Sequence, residues 1–142
     1  MKRRTCTTVF LAGLGWLTTA AVWSAQSGAA PRIDYVYMGG NDCPPCIAWR
    51  QTELPRLRTM PEFQLLHFTH VNKSIRSPVP AAIWFPREIR NLRDPIFVAS
   101  KGRTGSPLNA LVVDGRVASF WWGTWAAEDI AKTVREIHNG SR

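Results

Sequence analysis

The dipeptide Asp114-Gly115 lies between two apolar runs, "LNALVV" and "VASFWW". An Asp-Gly pair accepts the positive φ angles of the two-residue turn whose twist matches a pair of antiparallel strands. The segment is therefore expected to fold back on itself as a hairpin, 108–113 against 117–122. Consecutive strand residues point to opposite faces, so at least one of Trp121 and Trp122 is expected in the core. A lone hairpin is only marginally stable in water, so other elements must cover it.

Upstream, "IDYVYM" (Ile33–Met38) reads as a strand and "FQLLHFTHV" (63–71) alternates enough for a second. Between them, Gly39-Gly40 reads as a turn, and a helix is expected to begin at Cys43 or Pro44 and run through "IAWRQTEL". Proline is tolerated in a first helical turn, where its missing N–H has no partner anyway. Pro55 is expected to kink or end this helix, and Trp49 to pack beneath it. In 77–96, Pro78, Pro80, Pro86 and Pro95 break the pattern, leaving "REIRNLR" as a short helix showing Ile89 and Leu92 to the core. A last helix is expected with Thr124 as its N-cap and Glu128 and Asp129 near its positive end. Ile130, Val134 and Ile137 would share one face, and Gly140 would lie past its end.

The first thirty residues differ in kind. Lys2, Arg3 and Arg4 precede the apolar "VFLAGLGWLTTAAV", and the next charged residue is Arg32. This is the layout of a secretory signal peptide, expected over residues 1–29 with cleavage after Ser24 or Ala29. The alternative is an uncleaved membrane anchor, for which the stretch is short and diluted by threonines and glycines. Cys6 precedes the apolar core and would leave with the leader. Without Lys2, Arg3 and Arg4, fifteen basic residues face ten acidic ones, a net charge of +5 instead of +8. Eight of the basic residues, from Lys73 to Arg116, share that stretch with three acids. An exported chain meets little nucleic acid, so this bias is read as a solvated basic face and no nucleic-acid partner is expected.

The exported chain keeps two cysteines, in "NDCPPC", where disulfides form and persist. A bridge closing so small a loop constrains the unfolded chain little, which suits the pair to chemistry better than to stability. A cysteine at a helix N-terminus meets unpaired N–H groups and the positive end of the helix dipole, both of which favour thiolate. Cys43 is thus the expected nucleophile. Cys46, one turn further on, is placed to attack a mixed disulfide at Cys43 and release the substrate. Pro44 and Pro45 hold the loop between them.

In these features the chain resembles the thioredoxin family. The resemblance rests on C-x-x-C together with "GRTGSPLNALVVDGRVASFWWG", in which Gly102, Gly105 and Pro107 are followed by Asp114-Gly115 and then Gly123. It covers roughly residues 33–138, with little in the middle. It implies an α/β thioredoxin-like fold: a central mixed sheet of about four strands flanked by helices, over residues 31–142. It also implies that Cys43 attacks, Cys46 resolves, Pro107 is a cis-proline offering backbone to an extended substrate, and Ser106 touches the active sulfur. Such a protein needs no cofactor or metal. It would be a monomer acting on exported, cysteine-containing proteins and be recycled by a membrane redox partner. The compactness is similar to that of periplasmic reductases, including those serving cytochrome c maturation, more than to dedicated oxidases or isomerases.

The chain also departs from that family. Asp42 stands where a tryptophan is usual; it is placed to cap the helix, yet its charge opposes a thiolate on Cys43. Tyr37 stands where the family has a buried acid, so proton transfer to Cys46 must use another group or water. Glu53, on the same helix face as Cys46, is one candidate, although a solvated surface carboxylate is the expected reading. The alternative function is a non-catalytic module of the same fold that binds copper or a partner protein. For a metal, the extra ligands would be His67 and His70. Residues three apart on a strand point to opposite faces, so these two do not share a site, and His67 is expected as a core or edge residue. Trp121, Trp122 and Trp125 are the candidates for an exposed partner platform.

Overall fold

Four strands form a single mixed sheet in the order β2-β1-β3-β4, built from β1 (Ile33–Met38), β2 (Leu66–Val71), β3 (Leu108–Val113) and β4 (Arg116–Trp122). The computed structural model describes residues 29–140. The expected leader, with Cys6 and Ser24, lies outside the described residues apart from Ala29 at its end. β1 pairs parallel with β2, Met38 opposite Val71, and antiparallel with β3, Met38 opposite Leu108. Asp114 and Gly115 turn the β3–β4 hairpin with φ angles of 48° and 81°, as an Asp-Gly turn requires. A bulge interrupts that ladder at Leu111/Val112. The expected thioredoxin-like α/β architecture is the one observed.

Parity along β1 divides the core. Ile33, Tyr35 and Tyr37 face one layer, made by α1 (Pro44–Thr59) and α3 (Ala127–Gly140), and join Trp49, Leu57, Leu111, Trp121, Ile130 and Val134. Val36 and Met38 face the other, where Phe85, Ile89, Leu92 and Ile96 pack on Val71, Leu108, Ala110 and Val112. Trp121 is buried in the first layer and Trp122 half-buried against the second, as alternation demands. Among the described residues, no helix is long and apolar enough to cross a membrane.

Several local expectations need correction. α1 does not end at Pro55 but continues to Thr59. The carbonyl that Pro55 leaves without its helical donor belongs to Gln51, which is exposed, so solvent can satisfy it. β2 begins at Leu66, and Pro61–Leu65 before it form a 3₁₀ helix. "REIRNL" is a 3₁₀ helix, Arg87–Leu92, that does bury Ile89 and Leu92; it runs directly into α2 (Arg93–Ser100), which carries Pro95 in its first turn. Pro95 therefore starts a helix instead of breaking one. Finally, α3 begins at Ala127, after Thr124 and not from it, and Gly140 is its last residue.

Candidate active site

Cys43 is the residue before α1 and Cys46 lies in its first turn; they form a disulfide with Cα atoms 5.2 Å apart. Both are fully buried, while Pro44 and Pro45 between them are exposed. The prolines remove two N–H groups from a helix start, where such groups have no partner in the helix. The disulfide packs on the turn leaving β1: a Cβ on Gly39 would come within 2.8 Å of Cys46 Sγ, so only glycine leaves the sulfur room.

Three loops converge at this end of the sheet. The loop after β1 carries the cysteines, the loop after β2 begins at Asn72, and the loop before β3 carries Ser106-Pro107. The Ser106–Pro107 peptide bond is cis. Pro107 accepts the N–H of Gly123 at 2.9 Å, which ties the end of β4 to the same cluster.

Asp42 does not cap α1. Its Oδ2 accepts the Ser74 hydroxyl at 2.8 Å and the Ile75 N–H at 3.1 Å, so it fastens the β1 loop to the β2 loop. The Ser74 hydroxyl, then the Ile75 N–H, hold the carboxyl below its ordinary value, so it is ionised at neutral pH. Lys73, expected on a solvated face, is instead buried at 3% exposure with its Nζ 3.0 Å from Ser106 Oγ. Burial lowers its ammonium below the ordinary lysine value. Nothing in the local sequence separates Lys73 from the exposed basic residues around it; only the strand pairing places it here.

Tyr37 occupies the floor beneath Cys46, donating its hydroxyl to the Cys46 carbonyl at 3.2 Å and stacking on Trp49 with ring centroids 4.4 Å apart. Burial pushes its phenol up to about 12, so it is a neutral donor and no base at physiological pH. Trp49 in turn donates Nε1–H to the Trp125 carbonyl at 2.7 Å, and Trp125 stacks on Trp121. The tryptophan trio thus divides between packing of α1 and the far layer. A cleft of about 340 Å³ opens beside Pro45, lined also by Ala48, Trp49 and Trp125. A second, of about 360 Å³, opens beside Lys73, Ser74 and Ser77 and is bordered by exposed Trp84.

Glu53 is a partly buried, engaged carboxylate and not a freely solvated one. Its Oε2 accepts the Ala127 N–H at 2.8 Å, capping α3 from α1, while Arg56 bridges it to Glu128. His67 and His70 lie on the edge strand β2 and point to opposite faces; His70 Nε2 meets the Gly39 carbonyl at 2.8 Å. Among the described residues, no group of three His, Cys, Asp or Glu side chains could hold a metal ion.

No protein-family model matches the chain, and no curated protein matches it. Among solved structures, the chain is similar to one described as "DsbH Oxidoreductase", with 18% sequence identity and a TM-score of 0.46 over 75% of this chain and 73% of that one. Likeness of that degree transfers no activity, and function has to rest on the site's own geometry.

Proposed function

We propose that the chain is an exported thiol–disulfide oxidoreductase that exchanges its Cys43–Cys46 disulfide with cysteines of other exported proteins and acts as a reductant. One observation supports this reading most directly. The only two cysteines of the described residues are joined at the start of α1, at the end of the sheet where three loops meet.

In the reduced protein, the Cys43 thiolate attacks one sulfur of a substrate disulfide. The substrate S–S bond breaks, a Cys43–substrate mixed disulfide forms, and one substrate thiolate leaves. Cys46 loses its proton to solvent and attacks Cys43 Sγ. The mixed disulfide breaks, the second substrate thiolate leaves, and the Cys43–Cys46 bond closes. Two electrons have passed to the substrate, and a membrane dithiol partner restores them. Ser106 and Pro107 are the proposed substrate-binding positions beside the pair.

Two features support the reducing direction. Both cysteines are buried and an ionised Asp42 directly precedes Cys43, so a thiolate there is disfavoured relative to the disulfide. A protein whose disulfide form is the favoured one gives electrons away. Residues 1–29 serve in this proposal as the leader to the periplasm or exterior, and residues 31–142 as the thioredoxin-like domain.

A Cys46→Ser variant tests the exchange. An oxidoreductase lacking its resolving thiol accumulates mixed disulfides through Cys43, visible as adducts on non-reducing gels and lost with dithiothreitol. A module that only binds copper or a partner protein accumulates none, and that result would remove the proposal.

A further inference from the structure

Two of the large apolar side chains left in solvent are neighbours: Ile83 is 76% exposed and Trp84 71%. They sit on a 3₁₀ turn, Ala82–Trp84, anchored on both flanks by Val79 and Phe85, which are buried in the α2 layer. Trp84 N–H donates to the Ala81 carbonyl at 3.0 Å, Phe85 N–H to that of Ala82 at 3.1 Å, and Arg93 Nε to that of Pro80 at 3.1 Å. Pro78, Pro80 and Pro86 restrict the backbone of the same stretch. The pair is thus held out on a stiff support, and a rigid apolar projection loses little freedom when it is covered. Adjacent exposed apolar side chains of this kind mark a contact surface, and tryptophan is prominent among those that carry binding energy.

Trp84 borders the cleft of about 360 Å³, which opens between its own segment and the turn carrying Ser74 and Ser77. That turn belongs to the site. Ser74 Oγ is bonded to Asp42, the residue before Cys43, and Lys73 Nζ to Ser106, the residue before Pro107. One hydrogen bond therefore separates the cleft wall from the loop that carries Cys43, and a polypeptide joined to Cys43 through a sulfur has the cleft beside it.

Charge selects the occupant. Residues 72–93 carry Lys73, Arg76, Arg87, Arg90 and Arg93 against one acid, Glu88. Lys73 spends its three ammonium protons on Ser74, Ser77 and Ser106, and Arg93 pairs with Asp94. Arg76, Arg87 and Arg90 are exposed, and none forms an ion pair among the described residues. An apolar shelf flanked in sequence by free arginines suits a chain that brings an apolar side chain and a carboxylate together.

We propose that the Trp84 cleft is a docking site for an extended segment of an exported substrate protein, one that carries an aromatic or branched apolar side chain and a carboxylate a few residues from its reactive cysteine. Trp84 and Ile83 cover the apolar side chain, and Arg76 or Arg87 meets the carboxylate. This names the substrate class for the oxidoreductase reading and rests on it.

The test uses the protein carrying Cys46→Ser, reduced, so that exchange stops at the mixed disulfide. The probes are two short peptides, each with one cysteine activated by thionitrobenzoate: one has Phe and Glu near the cysteine, the other Ala and Gln in their places. The Cys43 thiolate attacks the peptide sulfur, the bond to thionitrobenzoate breaks, and the coloured thiolate leaves. The Phe/Glu peptide is expected to react about thirtyfold faster, roughly tenfold from the apolar side chain and threefold from the carboxylate. Trp84→Ala removes the first factor; Arg76→Gln combined with Arg87→Gln, or high salt, removes the second. A ratio near one in the parent protein, or one that Trp84→Ala leaves intact, overturns the proposal. So does a Trp84-dependent dimer in sedimentation, or Trp84-dependent binding to phosphatidylglycerol vesicles without the peptide preference, since the occupant is then a second copy or a membrane. Docking is read separately, from the Trp84 indole N–H resonance on addition of the same peptides with Ser in place of Cys. If that resonance shifts for the Phe/Glu peptide while Cys43 reacts with neither probe, the oxidoreductase reading fails and the docking site stands. If it does not shift, the docking site fails whatever Cys43 does.

Discussion

The two faces of the sheet are packed by different means. On the α1/α3 face the core is aromatic and three of its polar handles are engaged, with only Trp121 Nε1 among its buried ring donors left without a partner: Tyr35 donates to Asn109, Tyr37 to the Cys46 carbonyl and Trp49 to the Trp125 carbonyl. On the α2 face the core is Val, Leu, Ile, Ala, Met and Phe85, which offer shape alone. A ring with a hydrogen bond at one end is fixed in orientation as well as in place. The difference teaches that one layer aims the cysteines while the other mainly holds the sheet together.

Trp49→Ala is the severest challenge to that contrast. It empties a fully buried site and frees the start of α1, so it is expected to cost about 4 kcal/mol in urea unfolding and to change the Cys43–Cys46 potential. Ile96→Ala on the other face is expected to cost about 3 kcal/mol and to leave the potential unchanged. Equal shifts in potential for both variants would erase the distinction.

Glu53→Ala probes the link between α1 and α3 and is expected to cost about 1 kcal/mol through loss of the α3 cap. Tyr37→Phe is the gentlest change, about 0.5 kcal/mol at neutral pH, because Cys46 keeps its helical partner. Its sharper signature is alkaline. A phenol raised from 10.0 to about 12 by burial stays protonated in the native state while the unfolded chain ionises. The stability it contributes is complete below pH 10 and disappears as pH rises toward 12. Unfolding curves over that range should fall less steeply for Tyr37→Phe than for wild type. Tyr35, raised well above 10.0, supplies the remaining decline.

What the sequence reveals follows the same division. β1, the start of α1, the hairpin and the apolar face of α3 were legible because each is written in local periodicity or turn chemistry. α2 was not. Pro95 looks like a breaker when read alone, and only the preceding 3₁₀ turn makes it a first-turn residue. Thr124 has the composition of an N-cap, but the acceptor for α3 comes from Glu53, seventy-four residues away. At the site, the two cysteines and their loop were visible in "NDCPPC". Lys73 was hidden because a buried ammonium and a solvated one look alike in a basic run, and Asp42 was misread because its partners, Ser74 and Ile75, arrive from another loop.

The equilibrium reduction potential of Cys43–Cys46 tests the central claim most directly. It can be measured by titrating the protein in dithiothreitol or glutathione buffers and following tryptophan fluorescence together with alkylation of the freed thiols. A reductant gives a value near about −270 mV, whereas a value near about −120 mV would make the protein an oxidant and contradict the account.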